Sequence, residues 1–262
     1  MLCYKYMPWN YWFDSVLTGR FKMCKPSEFN DPFDCVGSAE GNYSEKAVNA
    51  FVEANYTPDF GTAETFRASF LMTNKDHEDE GYAKRRYLDS LCRTMSMTDV
   101  EEVLPEDELL MWSNYAGNAK GVRFLFDIPE ADDKYWLEHV NYDSRIPCFH
   151  RSLADTYQGG EEFVRAYHAW IYTKSRAWQY EKEVRLVLHK PNWDPYYLES
   201  NGLCFFKMPR EWVREITFGS EADLLMANVY MDLLRNAGFG HMVFRVAVKK
   251  KYEYGLEYAT LD

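Results

Sequence analysis

In the stretch WQYEKEVRLVLH (178–189), glutamates fall at alternate positions, Glu181 and Glu183, and Arg185 follows at the same spacing. Side chains two residues apart on a strand share a face, so the spacing predicts Glu181, Glu183 and Arg185 on one side. Tyr180, Val184, Leu186 and Leu188 then fall on the other, with Lys182 as the exception. Two neighbouring carboxylates disfavour each other's ionisation unless a cation or a ligand hydroxyl intervenes, which is the condition for acid–base work or for stabilising a cationic transition state. Arg185 is such a cation, and it could equally neutralise Glu183 in a structural ion pair. A helical reading would make Glu181 and Arg185 an exposed i,i+4 pair. The alternating β-branched and aliphatic residues of VRLVLH favour a strand.

A second candidate stretch is FNDPFD (29–34), where Asn30 and Asp31 suit an Asx-turn and Asp31 or Asp34 could orient a basic residue. Taken together, Asp31, Asp34, Glu181 and Glu183 could also act as oxygen ligands for Mg or Mn in metal-assisted hydrolysis. The six cysteines, at 3, 24, 35, 92, 148 and 204, include no CxxC pair and no histidine at ligand spacing. Neither a zinc site nor a disulfide framework is indicated, and reduced, mostly buried thiols are expected. GxGxxG and GxxxxGK[ST] are both absent, which removes the two commonest nucleotide fingerprints.

The 262 residues carry a formal charge of −11 and are 47% hydrophobic, enough for a full-sized core. An acidic chain lacks a broad electrostatic grip on nucleic acid, and the tight basic runs, 84–86 and 249–251, are short. Aromatics reach 17%, with 20 Tyr and 8 Trp, a surplus that suits a pocket in which rings meet a flat ligand. No stretch approaches the roughly 18 apolar residues of a membrane span, so a cytoplasmic location without membrane contact is expected.

Periodicity then supplies the elements that must position these groups. Strands are expected at 2–7, 21–24, 93–99, 121–128, 136–142, 181–189, 203–208, 213–218 and 241–248. Helices are expected at 11–17, 44–56 and 77–91, from Pro105 to Gly117, over 149–173 with a break at Gly159-Gly160, and at 221–236. About eight strands alternating irregularly with helices, and no linker, predict a single α+β domain over 1–262 rather than a doubly wound fold. The helix after Pro105 carries Trp112 and Tyr115, which serve either the core or a ligand.

YKY (4–6), FNDPFD, LMWSNYAGNAKGVRFLFD (110–127), Lys174 with WQYEKEVRLV (178–187), and EITFGS (215–220) together resemble the bacterial domain of unknown function 2971. Their layout is similar to the ADP-ribosyltransferase fold, which implies a mixed, largely antiparallel split sheet with peripheral helices. The same resemblance implies a site built from Lys5, Ser96 and Glu183, with Glu181 completing a Glu-x-Glu. Glu183 would stabilise oxocarbenium charge as the nicotinamide–ribose bond of NAD breaks, and Glu181 would activate a nucleophile. Ser96 would brace the carboxylate or the ribose, Lys5 or Arg20 would hold the pyrophosphate, and Tyr6, Trp112 or Tyr115 would line the cofactor pocket. Such an enzyme consumes NAD as substrate, modifies a protein or nucleic-acid acceptor, and suits a toxin or phage-defence effector with a cognate antitoxin or immunity partner. The alternatives are a non-catalytic nucleotide- or protein-binding module and the metal-dependent hydrolase.

Overall fold

A computed structural model describes residues 1–76, 88–130, 132–151, 161–189 and 196–262. Among these residues the strands are β1 (Leu2–Met7), β2 (Arg20–Met23), β3 (Ser38–Glu40), β4 (Cys92–Asp99), β5 (Val122–Asp127), β6 (Tyr135–His139), β7 (Asn141–Asp143) and β8 (Cys148–His150). They continue with β9 (Thr173–Ser175), β10 (Glu183–His189), β11 (Tyr197–Ser200), β12 (Leu203–Lys207), β13 (Val213–Phe218), β14 (Val243–Lys249) and β15 (Leu256–Thr260). The helices are α1 (Trp12–Thr18), α2 (Glu45–Asn55), α3 (Ala63–Asp76), α4 (Pro105–Tyr115), α5 (Glu161–Tyr172) and α6 (Leu224–Asn236). The fold is α+β with a largely antiparallel main sheet, and the chain forms two compact units interleaved along the sequence.

The first unit comprises Met1–Lys25, Leu91–Val140 and Ala177–Asp262. Its eight-stranded sheet has the order β15-β14-β13-β5-β1-β4-β10-β6. Only the β13–β14 pair is parallel. Strict alternation gives this sheet two unlike faces. Cys3, Met95, Met97, Phe124, Phe126, Val184, Leu186 and Ile216 enter one large core, which also takes Trp12 and Val16 from α1 and Met231 and Leu234 from α6. A three-stranded sheet, β11-β12-β2, supplies Phe21, Met23 and Phe206 to the same core. The opposite face is polar and is partly covered by α4, whose Met111 and Trp112 pack beside Tyr6.

Two of the sequence motifs meet in this unit through a close backbone approach. The loop after α4 takes left-handed conformations at Gly117, Asn118 and Ala119 (φ 58°, 58° and 61°). The Gly219 N–H donates to the Gly121 carbonyl at 2.9 Å. A Cβ on Gly219 would stand 2.0 Å from the Ala119 carbonyl oxygen, so only glycine fits there.

The second unit comprises Pro26–Ser90 and Asn141–Arg176. It contains α2, α3, α5 and two short parallel pairs, β3–β8 and β7–β9. Ser44 caps α2 by accepting from the Ala47 N–H at 3.1 Å. The buried indole of Trp170 fills the space beside Gly37, where a Cβ would come within 1.8 Å of Nε1.

Several expectations are corrected. The described residues hold fifteen strands rather than about eight, because three- to five-residue strands such as β3, β9, β11 and β15 leave too short a pattern to detect. The strand expected over 136–142 is two strands, β6 and β7, in different sheets on either side of Val140. The helix expected from 149 begins at Glu161, and Cys148–His150 is a strand. The expected helix at 77–91 and the break at Gly159-Gly160 fall largely outside the described residues, as does the basic run 84–86; residues 88–91 are helical.

Candidate functional site

On the polar face of the main sheet, strand alternation aligns Glu183 and Arg185 of β10 with Thr98 and Ser96, their register partners on β4. The Arg185 Nε and Nη2 both lie 2.8 Å from Glu183 Oε1, and the two side chains are 0% and 1% exposed. A guanidinium with no solvent access requires an anionic partner, and the i,i+2 spacing supplies one on the same strand. Glu181 is not part of β10. It ends a 3₁₀ turn over Arg176–Glu181, and Lys182 then takes a left-handed conformation (φ 45°), which breaks the alternation assumed from the sequence. Buried Glu181 accepts instead from the Tyr115 hydroxyl at the end of α4. Glu183 is thus engaged by Arg185 and Glu181 by Tyr115.

Next to this pair the sheet opens. β1 pairs with β5 at six positions and β10 with β4 at seven, but β1 and β4 pair only at Cys3↔Asp99 and Tyr4↔Thr98. Beyond that point the strands part, and β4 makes a bridge from Thr94 to Cys24 instead. Lys5 spans the parting, its Nζ donating to the Ser96 carbonyl at 2.8 Å. Lys5 and Ser96 keep partial solvent contact although they lie on central strands whose neighbours Cys3, Met97 and Arg185 are buried. Burial lowers the Lys5 pKa, and nearby Cys24 and Glu183 oppose that shift. Three of the residues expected to build a site, Lys5, Ser96 and Glu183, therefore occupy three adjacent strands. Arg20 is placed elsewhere, exposed on β2 opposite Lys207 in the three-stranded sheet.

Tyr6 and Trp112 belong to an aromatic cluster on the polar face, edge to face at 5.3 Å. Its centre is a residue that sequence reasoning missed, Arg123 of β5. The guanidinium donates to Glu108 Oε1 at 2.5 Å and to the Tyr258 hydroxyl at 3.1 Å. It also covers the rings of Tyr4 and Tyr258 at 3.8 and 4.3 Å. Trp112 Nε1 donates to the same Tyr258 hydroxyl at 3.3 Å. The available signal was an arginine inside the apolar strand VRFLFD, a position that demands partners. Two buried polar atoms of the cluster, the Tyr6 hydroxyl and Arg123 Nε, make no hydrogen bond of normal geometry among the described residues, although the guanidinium lies close enough to interact with the Tyr6 hydroxyl. Burial raises its pKa, against the opposing charge of Arg123, so it stays a protonated donor.

A pocket of about 490 Å³ adjoins this cluster, lined by Trp112, Asn118, Lys249, Lys250 and Tyr254 among others. Lys249 is paired with Glu221 and Lys250 with Glu253, so the basic run at 249–251 contributes no free anion well there.

In the second unit, Asp31 closes the expected Asx-turn, its Oδ1 accepting from the Phe33 N–H at 2.8 Å. Asp34 orients a basic residue, the buried Lys174, at 3.6 Å. Of the four carboxylates considered as Mg or Mn ligands, Asp34 and Glu183 are already held by cations and Glu181 by a tyrosine. Among the described residues, the group with metal-ligand geometry is a different one, Glu40, Cys148 and His150, whose donor atoms lie within 4.8 Å of one another.

Residues 111–186 match the family model described as protein of unknown function (DUF2971), which supports the resemblance read from the motifs. No curated protein and no solved structure matches the chain.

Proposed function

We propose that the chain is a binding module for a small nucleotide-type ligand, received in the first unit where β1 and β4 part. The observation that carries this reading is the parting itself, because it leaves Lys5 and Ser96 in contact with solvent at the centre of an eight-stranded sheet. An ammonium has three donors, and the Ser96 carbonyl takes one, leaving two for a ligand oxyanion. On the polar face, Tyr4 and Tyr115 add partly exposed ring surface.

Binding without turnover is favoured because Glu183 is committed to Arg185. A carboxylate whose Oε1 already accepts from two nitrogens of a buried guanidinium is largely neutralised before any oxocarbenium charge develops. NAD cleavage by a transferase or glycohydrolase is the second reading, favoured by the adjacency of Lys5, Ser96 and Glu183. It requires Arg185 to release Glu183, and it would carry with it the acceptor, the toxin or phage-defence role and the cognate antitoxin.

A thermal-shift titration of the purified chain with NAD, ADP-ribose and AMP tests the first reading. A saturable rise in Tm is expected, reaching about 2.7 kcal/mol of stabilisation at a hundredfold excess over Kd. Lys5→Met removes the proposed oxyanion donor together with a buried charge, so it should still fold but bind more weakly. Equal shifts in parent and variant, or none in the parent, refute the site. Nicotinamide released by the parent and not by Glu183→Gln would favour the second reading.

A further inference from the structure

We propose that Glu40, Cys148 and His150 form a binding site for a divalent ion of the zinc class on the second unit. The parallel pairing of β3 with β8 places Glu40 directly beside His150 and Ser38 beside Cys148. Alternation along β8 turns Phe149 inward, where it meets Trp170 edge to face, and turns Cys148 and His150 outward together. Both ends of the strand pair are fastened. The Ser38 N–H donates to the Pro147 carbonyl at 2.9 Å, and Arg151 Nη1 donates to the Gly41 carbonyl at 3.0 Å. The three donors are therefore held on a rigid platform while their side chains remain in solvent.

The donor set selects the ion. A thiolate, an imidazole and one carboxylate suit zinc and its borderline neighbours, whereas Mg²⁺ and Ca²⁺ prefer all-oxygen ligation. Tetrahedral bonds of about 2.0–2.3 Å place ligand atoms on the order of 3.5 Å apart. The present spread of at most 4.8 Å closes to that by rotamer adjustment of exposed side chains. His150 Nδ1 and Glu40 Oε1 already stand 3.1 Å apart. As the metal–sulfur bond forms, the Cys148 thiol releases its proton to solvent, and a water completes the fourth position.

Cobalt(II) titration of the reduced full chain tests the site, since a thiolate ligand gives a charge-transfer absorption that imidazole and carboxylate do not. The expected result is a band that saturates at one equivalent, is displaced by Zn²⁺, and survives Cys3→Ser. It should vanish in Cys148→Ser, and His150→Ala should weaken binding by about tenfold or more. Because all three side chains are exposed, each variant should keep the metal-free Tm of the parent. A parent without a saturable band, or a band undiminished in Cys148→Ser, overturns the proposal.

Discussion

Glu183 and Arg185 stand two residues apart on β10, and Cys148 and His150 stand two residues apart on β8. Each couple faces one way because strand side chains alternate, and each is completed across the ladder, by Ser96 and Thr98 on β4 and by Glu40 on β3. The surroundings then separate them. β10 is covered on both faces, so its ionisable groups must satisfy each other and become part of the packing. β8 buries only Phe149, so Cys148 and His150 stay in solvent, where His150 meets Glu40 and all three side chains remain accessible to something outside the chain. Identical spacing thus yields a closed ion pair in one place and an open ligand set in the other.

The sharpest way to break this contrast is to remove one member of the closed pair. Glu183→Gln should cost about 3–5 kcal/mol, because Arg185 is left buried without its anion. Adding Arg185→Met should restore most of that loss. A denaturant melt of both variants decides the matter, and a double variant as weak as the single one would mean that Glu183 has a task beyond its partner.

A smaller effect, about 1–3 kcal/mol, is expected from Gly219→Ala, which forces the loop after α4 away from β13 and loosens the cover over the polar face. Gly240→Ala meets open space and serves as the comparison, with unfolding in urea as the readout for both.

Lys5 offers a pH-dependent refinement. Its folded pKa lies below 10.5, so the unfolded chain holds more protons between the two values. Stability should therefore rise with pH through that window, and the cost of charged Lys5 is fully present below its folded pKa. Relative to Lys5→Met, the parent should gain stability as pH is raised from neutral toward 10.5. A gap independent of pH would remove the burial argument.

The least perturbing comparison is thiol labelling of the folded chain. Burial, reinforced by Asp99, pushes the Cys3 thiol up to about 12, whereas Cys148 is exposed. Alkylation at mildly alkaline pH followed by peptide mass analysis should modify Cys148 and spare Cys3.

How much of this was legible in the sequence depends on range. β1, β4, β5, β10 and α4 could be read because each carries a sustained period or alternation, which in β1, β5, β10 and α4 is punctuated by a nearby Pro or Gly. The Asx-turn at Asp31 and its neighbour's role in orienting a base were legible for the same local reason. Glu181 was misplaced because one left-handed residue, Lys182, undoes a period-two argument without altering composition. Arg123 and the Glu40–Cys148–His150 group depend on ladder register between distant segments, which no window of sequence contains. The parting of β1 from β4 is likewise a property of pairing, invisible in either strand alone.

That central placement of β1 has a consequence for synthesis. β1, LCYKYM, is synthesised before its ladder partners, which lie in segments beginning at Cys92 and Val122. Until then a nascent apolar edge stays open on both sides, so contacts of long sequence separation govern the folding rate. Chaperone occupancy during translation should accordingly concentrate on chains shorter than the end of β5.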